Sequence, residues 1–195
     1  MKAKSIIIFV LLGILVLYGI SVNNRFVSSE ESVESSWAQV ENQYQRRADL
    51  IPNLVNTVQG AANFEQETLT AVIEARSRAT SINLQADDLN DPAKIEQFQA
   101  AQEQLSGALS RLLVSVERYP ELKANANFRD LQAQLEGTEN RIATERMRFN
   151  DSARSYNTQI RKFPASLIAS IAGFDRKAYF EANEGAEQPP LVDFE

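Results

Sequence analysis

The sequence predicts an all-α protein: an N-terminal transmembrane helix, then an antiparallel up-down four-helix bundle with a short C-terminal amphipathic helix. Three observations carry this. No charge occurs from Ser5 to Asn24, directly behind Lys2 and Lys4. Four later stretches space their apolar residues at alternating steps of three and four, the period of one helix face. Asp91-Pro92, Tyr119-Pro120 and Phe163-Pro164 fall where those stretches start or stop.

The opening segment, residues 1–24, carries Ile6, Ile7, Ile8, Phe9, Val10, Leu11, Leu12, Ile14, Leu15, Val16, Leu17, Tyr18, Ile20 and Val22 as its membrane-spanning set. From Ile6 to Val22 a helix rises about 26 Å, slightly short of a hydrocarbon core of about 30 Å. Ser5, Asn23 and Asn24 cover the difference. Lys2 and Lys4 lie before the segment and only Arg25 lies immediately after it. The positive-inside rule therefore places the soluble domain outside the cytoplasm, on a single pass through the bacterial cytoplasmic (inner) membrane. The competing reading is a cleaved secretory signal, with the two lysines as its basic region and Gly19 and Ser21 near a cleavage point.

The bundle is expected over 25–163. Val33, Trp37, Val40, Tyr44, Ile51, Leu54 and Val58 form the seam of the first helix, interrupted at Arg47, and Pro52 predicts a kink near 48–52. Asn63, with Gln66 reaching back, predicts a capped second helix carrying Phe64, Leu69, Val72, Ile73, Ala79 and Ile82 and ending near Asn83. After a polar, acidic connection from Gln85, Asp91 as cap and Pro92 as first helical residue start the third. Its seam is Ile95, Phe98, Leu105, Leu109, Leu112, Val116 and Tyr119, interrupted at Gln102. Asn127 is expected to cap the fourth, in which Phe128, Leu135, Ile142, Phe149, Tyr156 and Phe163 recur at every seventh residue. A period near 3.5 favours left-handed bundle or coiled-coil packing, and no internal repeat of about 20–50 residues supports a solenoid.

Two chemistries are missing at the outset. The chain has no cysteine and no histidine, which removes thiolate catalysis, disulfides, imidazole acid–base work and the usual haem, zinc and di-iron ligand sets. No cofactor is expected and no enzyme is predicted. Asp87, Asp88, Asn90 and Asp91 invite a calcium reading, but Pro92 follows directly and Gln99 stands where a bidentate glutamate is needed. A helix cap explains them better. A net charge of −6 argues against a nucleic-acid partner.

Arg47 sits on an apolar seam, so its guanidinium needs a buried acceptor. In an up-down bundle its level meets the middle of the fourth helix, where Thr138, Glu139 and Glu145 stand. These four residues are expected to form a buried polar layer, with Glu139 or Glu145 as the ion-pair partner and Gln102 as a further member. Setting the register is one reading of the layer, and a functional polar pocket is the other.

An even number of helices returns the chain to the membrane side, placing Arg154, Arg161 and Lys162 near anionic lipid. Residues 164–181 then hold a short amphipathic helix and a turn, with Leu167, Ile168, Ile171 and Phe174 on one side. These seven residues form the candidate membrane-proximal surface. Residues 182–195 read as an extended acidic tail, unless Leu191, Val192 and Phe194 dock.

Three blocks resemble the LemA family: Gln45-Arg46-Arg47-Ala48-Asp49-Leu50-Ile51-Pro52-Asn53-Leu54-Val55, then Tyr119-Pro120-Glu121-Leu122-Lys123-Ala124-Asn125 through Gly137-Thr138-Glu139-Asn140-Arg141-Ile142-Ala143, and Phe163-Pro164-Ala165-Ser166-Leu167-Ile168-Ala169. Tyr179-Phe180-Glu181-Ala182 and Val192-Asp193-Phe194 fit as well. The resemblance implies a bacterial single-pass membrane protein with a helical bundle, and it brings no catalytic residue. Val27 to Ser36, rich in serine and glutamate, is more polar than it implies just after the anchor. The function expected is a non-enzymatic scaffold or adaptor at the cell envelope. The alternative is a lipid-sensing or membrane-remodelling module acting through the basic end of the fourth helix and the Ser166–Phe174 segment. The lipid bilayer and unidentified envelope proteins are the expected partners, and homo-oligomerisation stays open.

Overall fold

Residues 2–60 and 64–181 are described by the computed structural model, and among them every regular element is helical. Helix α1 spans Lys2–Gln59, α2 Gln66–Ser81, α3 Pro92–Val116, α4 Pro120–Ala124, α5 Ala126–Arg161 and α6 Ala165–Ala172. A 3-10 turn, Ala86–Asn90, joins α2 to α3.

The apolar segment and the helix expected to follow it are one element rather than two, so the expected boundary at residue 24 is no seam. The serine-rich stretch stays helical because its hydroxyls bond within the helix: Ser32 and Ser36 each donate to the carbonyl four residues back, at 2.9 Å. Meanwhile Val33 and Trp37 are buried. Pro52 also lies inside α1. Lacking an N–H, it leaves the carbonyl of Ala48 without its helical donor. Arg76 on α2 fills that place, its Nε donating to the Ala48 oxygen at 2.7 Å.

Several expected caps shift. Asn63 lies outside the described residues; α2 begins at Gln66 behind Glu65, which makes no side-chain cap. Asp91 caps α3 as expected from Pro92, accepting from the N–H of Ala93 at 3.0 Å. Asn125, not Asn127, caps α5, accepting from Asn127 and Phe128. The short α4, entered through Pro120, ends at Ala124, so the next residue, Asn125, already stands in extended conformation at the start of α5. Five members of the seven-residue column are buried, whereas Phe163 is 82 % exposed because α5 has already ended at Arg161.

Helix lengths decide the rest. At 1.5 Å per residue α5 runs about 54 Å and α2 only about 24 Å. One core cluster, far from the apolar segment, joins Ile51, Leu54 and Val58 of α1 to α2, α3, α4 and the first half of α5. Nearer the segment α2 has ended and α3 has not begun, so another element must cover α1 and α5. That element is the C-terminal strap 174–181, which leaves α6 through left-handed Gly173 (φ 77°). Phe180 of the strap joins Phe98 and Phe149 around Trp37, with ring centroids 5.4 to 5.9 Å from the indole. The helical core therefore does not close at residue 163.

An extended strap must place its backbone polar groups, and side-chain amides take them. Asn157 accepts from the Lys177 N–H at 2.9 Å and donates to its carbonyl at 2.8 Å. Asn150 does the same to Phe180, at 2.9 Å in both directions. Gln99 does so to Glu181 at 3.3 Å, and the Ala178 N–H donates to the carbonyl of Leu89. Lys177, beside the Tyr156 ring, pairs with Glu30 at 2.7 Å.

Candidate functional site

Between the two apolar clusters lies a polar layer centred on Arg47, whose side chain is 1 % exposed. Its guanidinium donates to Glu139 at 2.7 Å, to Ser106 Oγ at 2.8 Å, and to both the carbonyl and the side-chain oxygen of Gln102. Gln102 in turn donates to the carbonyl of Ala79, tying α2 to the same layer. Thr138 is buried and satisfies its hydroxyl on the Gln134 carbonyl. Glu145 does not join: it pairs with Arg148, three residues on, because it sits almost two turns beyond Glu139.

Glu139 is half-buried, so the pair is a half-buried one rather than fully enclosed. Above it, α3 and α5 stand apart and leave an open cleft of about 550 Å³. Tyr44 and Arg47 form its floor, Gln99, Gln102, Glu103 and Ser106 one wall, and Glu139, Ile142, Ala143 and Arg146 the other. Burial raises the Tyr44 phenol above its ordinary pKa of 10.0, and the neighbouring guanidinium groups of Arg146 and Arg47 partly offset that. Arg146 lies over the Phe180 ring and donates to the Glu181 carbonyl, closing one end of the cleft with the strap. Two cations and two carboxylates line it, so it has no net charge to attract one sign of ligand. Among the described residues no cluster of acidic side chains suits a metal ion.

The amide clips Asn150, Asn157 and Gln99, with Ser106 and Lys177, are the site residues that sequence reasoning misses. One signal existed. Asn150 and Asn157 stand seven apart, each directly after a member of the buried aromatic column.

At the other end, the residues of the apolar segment from Ile6 to Ile20 that were assigned to the membrane are exposed along the helix, whereas Val22 is 4 % exposed and packs in the domain's core. Val22 thus belongs to the domain, covered where Phe26 and α6 close over α1. Arg154 pairs with Asp151, about 7.5 Å along α5 from the level at which Gln159 meets Ser29. Arg161 and Lys162 are exposed at the end of α5. The four apolar residues expected on one side of α6 divide: Ile168 and Phe174 pack against the core, while Leu167 and Ile171 are 59 % and 88 % exposed. Phe174 meets Phe26 edge to face at 5.3 Å, which turns α6 and leaves Leu167 and Ile171, four apart, on its outer face.

A chain whose described elements are all helical, one of them long and exposed along its apolar stretch, is a membrane-associated protein. This chain belongs to the LemA family, whose pattern it matches over residues 36–194. It is 28 % identical over 185 residues to a magnetosome protein MamQ of Magnetospirillum gryphiswaldense, covering 87 % of this chain and 68 % of that one. It is 27 % identical over 185 residues to magnetosome protein MamQ 2 of Paramagnetospirillum magneticum, with the same coverage of 87 % and 68 %. It is also 24 % identical over 180 residues to protein LemA of Metamycoplasma hominis, covering 91 % of this chain and 78 % of that protein.

Proposed function

We propose that this protein is a membrane-anchored, non-enzymatic helical scaffold or adaptor at the bacterial cell envelope. In this reading α1 crosses the inner membrane once, and α1, α2, α3 and α5 form an antiparallel up-down bundle outside the cytoplasm. The observation that carries it is α1 itself: one 58-residue helix that is apolar and exposed at one end and buried in the domain from Val22 onward. Such a continuous helix holds the domain at a fixed height above the bilayer, as a scaffold requires. The order of side-chain pairs supports the bundle, since Ser29, Trp37 and Arg47 of α1 meet Gln159, Phe149 and Glu139 of α5 in reverse sequence. Lys2 and Lys4 before the segment support the orientation.

Protease added to intact spheroplasts tests the topology: the expected outcome is digestion of the domain and survival of the N-terminal segment. Protection of the whole chain overturns the orientation, and a mature N-terminus at Val22 or beyond overturns the anchor. Cross-linking in intact cells with mass spectrometry tests the scaffold role. Recovery of envelope proteins joined to α2, α3 or α5 supports it, and products joining only copies of this chain replace it with a homo-oligomer.

A further inference from the structure

We infer that the domain rests on the bilayer through a second apolar element, a ridge of Phe163, Leu167 and Ile171 that enters the lipid interface beside the anchor; this rests on the anchored reading above. The three side chains are 82 %, 59 % and 88 % exposed, and Ile171 and Phe163 are the two most exposed large apolar side chains among the described residues. Chance exposure of single apolar residues is ordinary, but three at one end of the molecule form a patch that water penalises. Their partners are absent for a physical reason. Ile168 and Ala169 of α6, with Phe174 just beyond it, already pack against Phe26 and the core, and among the described residues none covers the outer face; the tail 182–195, with Leu191, Val192 and Phe194, lies outside the described residues.

The height of the ridge names its occupant. Gln159 meets Ser29, and Val22 lies seven residues, about 10.5 Å, nearer the apolar segment. Over that interval α5 ends, the chain turns, and α6 packs with Val22 and Phe26 through Ala169 and Phe174. The exposed face of α6 therefore lies at the level where exposed apolar side chains of α1 begin, from Ile20 downward. A bilayer that takes up Ile6 to Ile20 brings its headgroup layer to this face. Arg25, Arg161, Lys162 and Arg176 are exposed around it, against Asp175, which fits an anionic surface. This face differs from the one the sequence predicted: Leu167 and Ile171 belong to it with Phe163, and Ile168 and Phe174 do not.

The chain contains no cysteine, so single-cysteine variants can carry one nitroxide each. The full chain is reconstituted into vesicles of phosphatidylcholine and phosphatidylglycerol, with labels at Leu12, Val114, Leu167 or Ile171. Val114 serves as the reference because it is 71 % exposed at the opposite end of the domain. Collisions with oxygen, which concentrates in lipid, are compared with collisions with a water-soluble nickel chelate. The expected result is an oxygen-to-nickel ratio at Leu12, Leu167 and Ile171 severalfold above that at Val114. If Leu12 is lipid-embedded while Leu167 and Ile171 behave as Val114 does, the ridge is overturned and the anchor stands. If Leu12 is open to nickel, the anchor falls and the ridge with it. Spin–spin broadening at Ile171 with protection from both quenchers puts a second copy on this face and overturns the lipid assignment.

Discussion

Arg47 and Pro52 each create a polar demand inside an apolar helix, and a distant residue meets it. Arg47 needs acceptors because an unpaired buried guanidinium is costly. Replacing Glu139 by alanine is expected to destabilise the fold by about 1–3 kcal/mol. A double-mutant cycle between Arg47 and Glu139 is expected to give a coupling of about 0.5–3 kcal/mol in denaturant titrations, toward the low end because Glu139 is half exposed. The matching cycle with Glu145 is expected to give none, since Glu145 pairs with Arg148 instead. Pro52 works through its missing N–H. Arg76→Met is expected to cost about 1–3 kcal/mol in the native background, because the Ala48 carbonyl loses its donor. In a Pro52→Ala background the restored helical N–H supplies that donor, and the cost of Arg76→Met shrinks. Equal costs in both backgrounds would separate Arg76 from the proline.

At the scale of elements, the strap 174–181 does what a helix does elsewhere in the molecule. It covers a flank of α1 and α5 that the shorter α2 and α3 do not reach. Asn157 makes both bonds to Lys177, so Asn157→Ala leaves a buried N–H and a buried carbonyl without partners. The expected outcome is loosening of the strap, read as faster tryptic cleavage after Lys177, which is 4 % exposed in the native fold. Phe180→Ala removes a ring from the Trp37 cage and is expected to cost about 3–5 kcal/mol, with a red shift of the sole tryptophan's emission. Cleavage unchanged in Asn157→Ala would assign the strap's hold to Phe180 alone. None of this was legible from periodicity, because an extended segment of eight residues has no helical repeat. The helices themselves were legible: each seam lay at three–four spacing, and Asp91-Pro92 fixed the start of α3. The cap was misplaced by two residues because asparagine stands at both 125 and 127, and α4 ends at Ala124, so Asn125 is the extended residue from which α5 starts.

Across the whole molecule, two buried phenols link stability to alkaline pH. Burial raises Tyr44 and Tyr156 above their ordinary 10.0, and for Tyr156 the negative charges of Glu30 and Asp175 add to the burial. Each phenol keeps its proton in the folded chain and loses it above about pH 10 when unfolded. Their contribution is therefore complete below that pH and declines as the pH rises toward the folded value. For Tyr156 the loss approaches about 1.4 kcal/mol per pH unit once the unfolded phenol is fully ionised, and Tyr44 adds to it in the same direction. Denaturant midpoints from about pH 9 to 11 test it: Tyr156→Phe should flatten the decline relative to the native chain. An unchanged slope would overturn the part assigned to Tyr156.

The sequence by itself determined the apolar segment, the helical class, the buried place of Arg47 and the membership of the LemA family. These follow from local order: uninterrupted apolarity, a repeat of three and four, and blocks of consecutive residues. Tertiary structure alone decided that Glu139 rather than Glu145 meets Arg47, that Arg76 serves the carbonyl freed by Pro52, and that Leu167 and Ile171 of α6 face outward beside Phe163. Each depends on the level at which two distant segments meet. That level is set by helix lengths and by the strap that fills their difference, quantities no single helix's spacing contains.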